Sequence, residues 1–257
     1  MTTFKGFTID SSGVDGRTLS PKRLDTMDRL LTDTFGPEYH LTGIERLKSK
    51  KNVVLRLGLD SYEERNTQLV AKLFVTGNYD LEVDILQKCY QENLTVPEVI
   101  DVDQGVILMS FIPGPTFTEK INQTFEPRLM KQLALWYHKY HTVTGMIKGD
   151  PRLRNFICEN GILYGLDFEE ARSDHWIADI AGASASLIDT RPIFDERKRR
   201  LSWNLLEEYL QLRGEERTKA IDDLFITTLV DTLKQTSYWR EDQHIMDLAE
   251  KIRTEGF

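Results

Sequence analysis

The stretch Met146–Asp179, MIKGDPRLRNFICENGILYGLDFEEARSDHWIAD, gathers residue types that can handle a phosphoryl group. Asp150 and Asn155 form a D-x-x-x-x-N pattern, which puts a carboxylate and an amide at the two ends of one short loop, facing a common point. The carboxylate would accept or orient the proton of an attacking hydroxyl. The amide oxygen would hold a magnesium ion, a hard cation that prefers oxygen ligands. Asp167 follows the apolar, strand-like run Ile162–Leu166, which would deliver its carboxylate to the same edge as a second metal ligand. Taken singly, each residue has a plainer explanation: Asp150 opens a turn through Pro151, Asn155 belongs to a loop, and Asp167 ends a strand. The joint pattern lies between hydrophobic flanks and is followed by Asp179 in WIADIA, and that context favours phosphoryl-transfer chemistry.

The segment resembles the protein-kinase-like superfamily, specifically its compact members: the aminoglycoside and choline phosphotransferases, the RIO kinases and the small kinase of the KEOPS tRNA-modification complex. The resemblance implies that Asp150 is the catalytic base, that Asn155 and Asp167 are metal ligands, and that Asp179 braces the catalytic loop. Two positions depart from the shared pattern. Lys148, counted with Asp150 as a candidate catalytic residue, stands in the loop where these families usually have His, and Glu169 replaces the Gly of D-F-G, a change familiar in the antibiotic and choline kinases. The implied fold is α+β and two-lobed, with a small antiparallel-sheet N-lobe and a mainly helical C-lobe. ATP and Mg2+ are the implied cofactors.

The elements that must position these residues follow from hydrophobic period. Ser20 and Pro21 open a helix in which Leu24, Met27, Leu30 and Leu31 recur at helical spacing until Gly36 and Pro37 stop it. Residues 1–19 show no period and suggest an arm or a short strand. YHLTGIERL, NVVLRLGL and QLVAKLFV then alternate as strands. Lys72 in VAKLF is a close match to the V-A-x-K strand, whose lysine reaches the nucleotide phosphates. Only Gly43 is expected between the first two strands. Lys48, Lys50 and Lys51 crowd that turn, either covering phosphates or forming a solvated tip. YDLEVDILQKCY sets Leu81, Ile85, Leu86 and Cys89 on one helical face and offers Glu82 as the partner of Lys72, with Asp84 as competitor. VPEVIDVD and GVILMSFIPG suggest two more strands and a hinge stiffened by Pro113 and Pro115. By resemblance Met109 is the gatekeeper, and the backbone of Ser110 and Ile112 would bind adenine.

Beyond the hinge, Pro127 opens a helix with Leu129, Leu133, Trp136, Tyr137 and Tyr140 on its period, expected to be the central helix of the large lobe. His138 and His141 lie near its end without a third ligand nearby, which favours structural roles over metal binding. Asp179 follows Asp167 by only twelve positions, which leaves no room for a regulated activation segment. Four further helical stretches complete a helical lobe. The expected organisation is an arm and helix over 1–38 packing on the small lobe, an N-lobe over 39–112 and a C-lobe over 113–257.

Composition bounds the partners. The chain has 257 residues, 40% of them hydrophobic, enough to bury a substantial core. A net charge of -8 excludes a surface that is basic everywhere. The run ERKRR over 196–200 is either a solvated helix start or a local contact for an anionic substrate. Two cysteines, Cys89 and Cys158, stand far apart with no C-x-x-C spacing, which suggests neither a disulfide framework nor zinc. No signal-like amino terminus and no run of roughly eighteen apolar residues is present, so a cytoplasmic protein with no membrane partner is expected. The expected activity is ATP/Mg2+-dependent phosphate transfer to a hydroxyl acceptor. D-F-E and the short segment to Asp179 favour a small molecule; the compact catalytic turn leaves a tRNA or protein acceptor as the alternative, and a non-catalytic nucleotide-binding scaffold is disfavoured because every charged catalytic position is filled.

Overall fold

Alternate side chains of a strand point to opposite faces of its sheet, so VVLRLGLD should bury every second residue. The computed structural model describes residues 1–13, 16–49, 51–62 and 65–257 and falls into two compact units, Met1–Gln87 with Pro97–Ile112, and Lys88–Val96 with Pro113–Phe257. The first unit opens with a hairpin of β1 (Thr2–Phe4) and β2 (Phe7–Ile9), followed by α1 (Pro21–Phe35). Strands β3 (His40–Arg46), β4 (Val53–Asp60), β5 (Thr67–Leu73), β6 (Val99–Asp103) and β7 (Val106–Ser110) form one antiparallel sheet in the order β3-β4-β5-β7-β6. Helix α2 (Asp80–Gln91) leaves the sheet after β5.

Parity then decides what each face meets. Val53, Leu55, Leu57 and Leu59 of β4 and Leu69, Ala71 and Leu73 of β5 are fully buried, in one cluster with Leu24, Met27, Leu30 and Leu31 of α1 and with Phe4 and Ile9 of the hairpin. Each large apolar side chain so buried contributes roughly 1.5–3 kcal/mol. The amino-terminal segment is therefore part of this unit's core. On the opposite face Phe74, Ile107 and Met109 pack with Val83 of α2. Gly43, expected in the turn between the first two strands, lies inside β3, paired with Gly58. Thr42-Gly43-Ile44 continues the strand, and partner pairing across the sheet moves the turn on to the residues after Arg46. Of the three lysines expected there, Lys50 lies outside the described residues.

The second unit is mainly helical. Thr116 and Glu119 form a reciprocal capping box that starts α3 (Phe117–Thr124), a helix the hydrophobic period alone does not announce. Helix α4 (Arg128–Thr144) buries Leu129, Leu133, Trp136, Tyr137 and Tyr140 and stops at Gly145, whose φ of 71° is left-handed. A 3-10 turn over Leu153–Asn155 leads into the hairpin of β8 (Phe156–Glu159) and β9 (Ile162–Gly165). Helices α5 (Ile177–Ile188), α6 (Glu196–Arg213), α7 (Lys219–Arg240) and α8 (Gln243–Glu255) follow. The most completely buried of these is α5 and not α4, because the small residues of IADIAGASASLI admit neighbours on all sides. Among the described residues, no helix is long and apolar enough to cross a membrane.

Candidate active site

In the first unit the strand period that sends Leu69, Ala71 and Leu73 to the α1 side sends Lys72 to the other face, where α2 begins. Lys72 Nζ donates to Glu82 Oε2 at 2.7 Å, and the residues are only 6% and 2% exposed. Asp84, two positions on and about 200° round the helix, is exposed. The helix register therefore sets Glu82, and not Asp84, against the lysine. Met109 is buried in β7 beside Phe74 and Val83. Ser110 is tied to Glu98 twice: its N–H donates to Glu98 O at 2.9 Å, and its Oγ accepts from Glu98 N at 3.0 Å. The Ser110 N–H is thus already used, whereas the half-buried Ile112 donates to no backbone carbonyl among the described residues.

In the second unit the short link from α4 to the candidate catalytic loop is gripped by Asp179 in the first turn of α5. Asp179 is fully buried. Its Oδ1 accepts from Gly149 N at 3.0 Å and its Oδ2 from Lys148 N at 2.5 Å. His141 Nε2 also meets Oδ2 at 3.0 Å, and His141 Nδ1 meets Tyr209 OH at 2.6 Å. The chain is satisfied when Tyr209 donates to Nδ1 and the Nε2–H donates to the carboxylate. His141 is therefore a structural histidine that orients Asp179. Gly149 has a φ of 80°, and a Cβ there would lie 2.0 Å from Glu170 O, so only glycine fits.

Lys148 is fully buried, and its Nζ donates to two backbone carbonyls, Asp150 O and Asp167 O, each at 2.8 Å. One ammonium thus joins the loop carrying the candidate base to the segment carrying the candidate metal ligand. Phe156 and Phe168 lie beneath it, at 5.7 and 5.4 Å from their ring centroids. Phe168 is in turn stacked on Tyr140 and Trp136 of α4. Asp167 adopts a φ of 62°, an uncommon conformation for a residue with a side chain and one that tends to collect at functional sites.

Asp150 is 8% exposed. Arg152 Nε donates to its Oδ1 at 2.5 Å, and a second nitrogen of the guanidinium reaches Oδ2. Burial alone would push this carboxyl up, but the Arg152 hydrogen bonds and the charges of Lys148 and Arg152 outweigh it, so the pKa falls below the usual carboxylate value. Asp150 is held ionised. Asn155 Nδ2 points at Asp150 O, 3.5 Å away, which turns Oδ1, the atom able to hold a metal, to the other side. Arg152 has no place in the sequence-based site, although D-P-R offered the signal of a cation two positions from the base. The basic run over 196–200 is not a free patch. Asp195 caps α6 and binds Arg197, Arg200 pairs with Glu196, and the fully buried Lys198 donates to Thr190 O, Thr190 Oγ1 and Arg191 O.

No protein-family model matches the sequence, and no match is found among curated proteins. Solved structures do match. An amicoumacin kinase in complex with AMP-PNP, Ca2+ and Ami aligns with a TM-score of 0.63 at 14% identity, over 91% of this chain and 95% of that one. A choline/ethanolamine kinase family protein from Mesorhizobium loti aligns at 0.59 and 16% identity over 84% of each chain. A choline kinase from Cryptosporidium parvum Iowa II aligns at 0.57 and 12% identity, over 90% of this chain and 97% of that one. At such identities the fold is what is shared: this chain has the protein-kinase-like fold, with a five-stranded antiparallel sheet unit and a mainly helical unit.

Proposed function

We propose that this protein is an ATP- and Mg2+-dependent phosphotransferase that moves the γ-phosphate to a hydroxyl of a small molecule. The observation that carries this is the network in which Lys148 Nζ holds the backbone carbonyls of Asp150 and Asp167 while Asp179 accepts from the backbone N–H groups of Lys148 and Gly149. In this assignment Lys72, oriented by Glu82, holds nucleotide phosphates, while the backbone carbonyl of Ser110 and the N–H of Ile112, next to Met109, receive the adenine. Asn155 and Asp167 supply amide and carboxylate oxygens, the hard donors that Mg2+ prefers. The ion would offset the charge that develops on the phosphate oxygens. Asp150, kept ionised by Arg152, aligns the acceptor hydroxyl and takes its proton as the oxygen attacks in line. Lys148 and Asp179 act as positioning residues.

A tRNA or protein acceptor gains no support from the basic run over 196–200, since Lys198 is buried, Arg197 and Arg200 are paired with neighbouring carboxylates, and the half-buried Arg199 lies over the Phe194 ring. The deciding experiment is transfer of labelled phosphate from ATP across separate pools of metabolites, RNA and protein, with Asp150→Asn alongside. Label is expected in the metabolite pool only, falling by about a thousandfold in Asp150→Asn while Mg-ATP affinity stays within a few fold. Label in RNA or protein would move the acceptor class, and unimpaired turnover by the variant would remove Asp150 from the chemistry.

A further inference from the structure

Residues paired directly across antiparallel strands point to the same face of the sheet, so strand register sorts the side chains of the first unit into rows. The row of Lys72 holds Val54 and Ile107. The next row holds Glu45, Arg56, Val70 and Met109. Beyond it lie Gly43, Gly58 and Gln68, beside the pair of Leu69 and Ser110. Two residues along a strand span roughly 6.5–7 Å, so Arg56 stands one step from Lys72 in the direction of the linker Ser110–Ile112.

Every nitrogen of the Arg56 guanidinium is engaged. Nε and Nη2 donate to Gln68 Oε1 at 3.2 and 2.9 Å, and Nη1 donates to Glu45 Oε2 at 3.1 Å. Strands β3 and β5 thus hold the group from both sides of β4. Its central carbon lies 4.5 Å from the centroid of the Phe111 ring. An arginine pinned in this way has already lost its rotamer freedom, so resting on the ring costs little further ordering. Phe111 is half-buried and lies between the two backbone groups assigned to the base, the carbonyl of Ser110 and the N–H of Ile112. Glu98 fastens the start of this linker through two hydrogen bonds to Ser110. The guanidinium takes hold one residue further along.

We propose that Arg56 is a positioning residue for the nucleobase: anchored to Glu45 and Gln68 and stacked on Phe111, it fixes the linker and so sets the preference for adenine over guanine. This rests on the phosphotransferase assignment and names what selects its nucleotide. Adenine carries an amino donor where guanine carries the O6 acceptor. A Ser110 carbonyl held in place accepts from that amino group but meets O6 acceptor to acceptor. A linker free to shift would lose the distinction. Cation–π contacts at a half-exposed site are modest, enough to bias a short linker but small beside the apolar core that α1 covers on the opposite face.

The test compares binding of Mg-AMP-PNP, Mg-GMP-PNP and Mg-tripolyphosphate to the 257-residue protein, since tripolyphosphate carries the phosphates without a base. The wild type should favour AMP-PNP over GMP-PNP. Arg56→Met and Phe111→Leu should each weaken AMP-PNP by about fivefold and narrow that preference, while tripolyphosphate affinity stays within about twofold. Phe111→Tyr keeps the ring and should match the wild type. The double variant Arg56→Met/Phe111→Leu should be no worse than either single one. Unchanged base preference in either single variant overturns the proposal, as does equal weakening of all three ligands, which is what general loss of packing would give. A loss in Arg56→Met that Phe111→Leu does not share also overturns it, because the guanidinium would then touch the nucleotide directly. A wild-type protein that binds neither AMP-PNP nor tripolyphosphate instead overturns the phosphotransferase assignment, and the role of Arg56 with it.

Discussion

The ammonium of Lys148 donates to the backbone carbonyl of Asp167 at 2.8 Å while also holding that of Asp150. The long lysine side chain lets one ammonium reach both carbonyls at once. Removing it leaves two carbonyl oxygens without their charged donor inside the protein, a cost of about 1–3 kcal/mol each. Lys148→Met should therefore lower Tm by several degrees and reduce kcat by tenfold or more, on the order of the effect of misplacing reacting groups. Thermal melts and steady-state rates check both. A variant with unchanged Tm and kcat would show that the loop is held by Asp179 alone.

Lys72 and Glu82 form an ion pair with side chains only 8% and 3% exposed. Breaking such a pair from one side costs about 3–5 kcal/mol, because the remaining charge stays buried, whereas removing both charges costs less. Lys72→Met should thus be less stable than the double variant Lys72→Met/Glu82→Gln, while neither should bind Mg-ATP as tightly as the wild type. A denaturant double-mutant cycle measures the coupling. Additive single effects, or a loss of nucleotide affinity in Asp84→Asn equal to that in Glu82→Gln, would argue that the pair does not orient the lysine for phosphate.

What could be seen in the sequence divides by how local its cause is. The set Asp150, Asn155, Asp167 and Asp179 stands out because one loop and its two flanking elements determine the spacing. Lys72 follows from strand parity, and Glu82 from helix period once Lys72 is placed. Gly43 went wrong because the residues around it suit a turn or a strand equally, and pairing with Gly58 decides. Helix α3 was missed although Thr116 and Glu119 carried the S/T-x-x-E signal of a capping box. Neither the Asp189–Arg240 ion pair, 3.0 Å between Oδ2 and the guanidinium, nor the inward turn of Lys198 could be seen in advance. Each depends on how α5, α6 and α7 pack, and the sequence alone shows only an aspartate at a helix end and a basic run.

Asp189 gives a pH signature with a definite sign. Its pKa is raised to about 6 in the folded protein, chiefly by burial. A carboxyl with a raised folded pKa contributes stability that is complete below its unfolded value, about 4, and is lost as pH rises through the folded value. The wild type should accordingly lose on the order of 2 kcal/mol between pH 4 and 8 through this group. Asp189→Asn removes that slope, so it should gain on the wild type at pH 8 and show no gain at pH 4. Chemical denaturation at several pH values reads it directly. A variant less stable than the wild type at pH 8 would mean that the ion pair with Arg240 outweighs the burial of the carboxylate.

Over the basic run 196–200 the charge count and the structure disagree. Counted from sequence, Arg197, Lys198, Arg199 and Arg200 offer four cations to an anionic partner. In the folded chain Arg197 is bound at both ends of the Asp195 carboxylate, Arg200 pairs with Glu196, and Lys198 is buried on the carbonyls of Thr190 and Arg191. Exposed pairs of this kind contribute about 0–1 kcal/mol, so Arg197→Glu/Arg200→Glu should leave Tm and turnover nearly unchanged. Lys198→Ala should behave oppositely, leaving three oxygens without their donor and costing about 2–4 kcal/mol. A nucleic-acid role would reveal itself by tRNA binding that weakens steeply with salt. Such binding in the wild type, lost on reversing Arg197 and Arg200 while the fold stays intact, would make this run an interface; its absence leaves the run as the capped and paired start of α6.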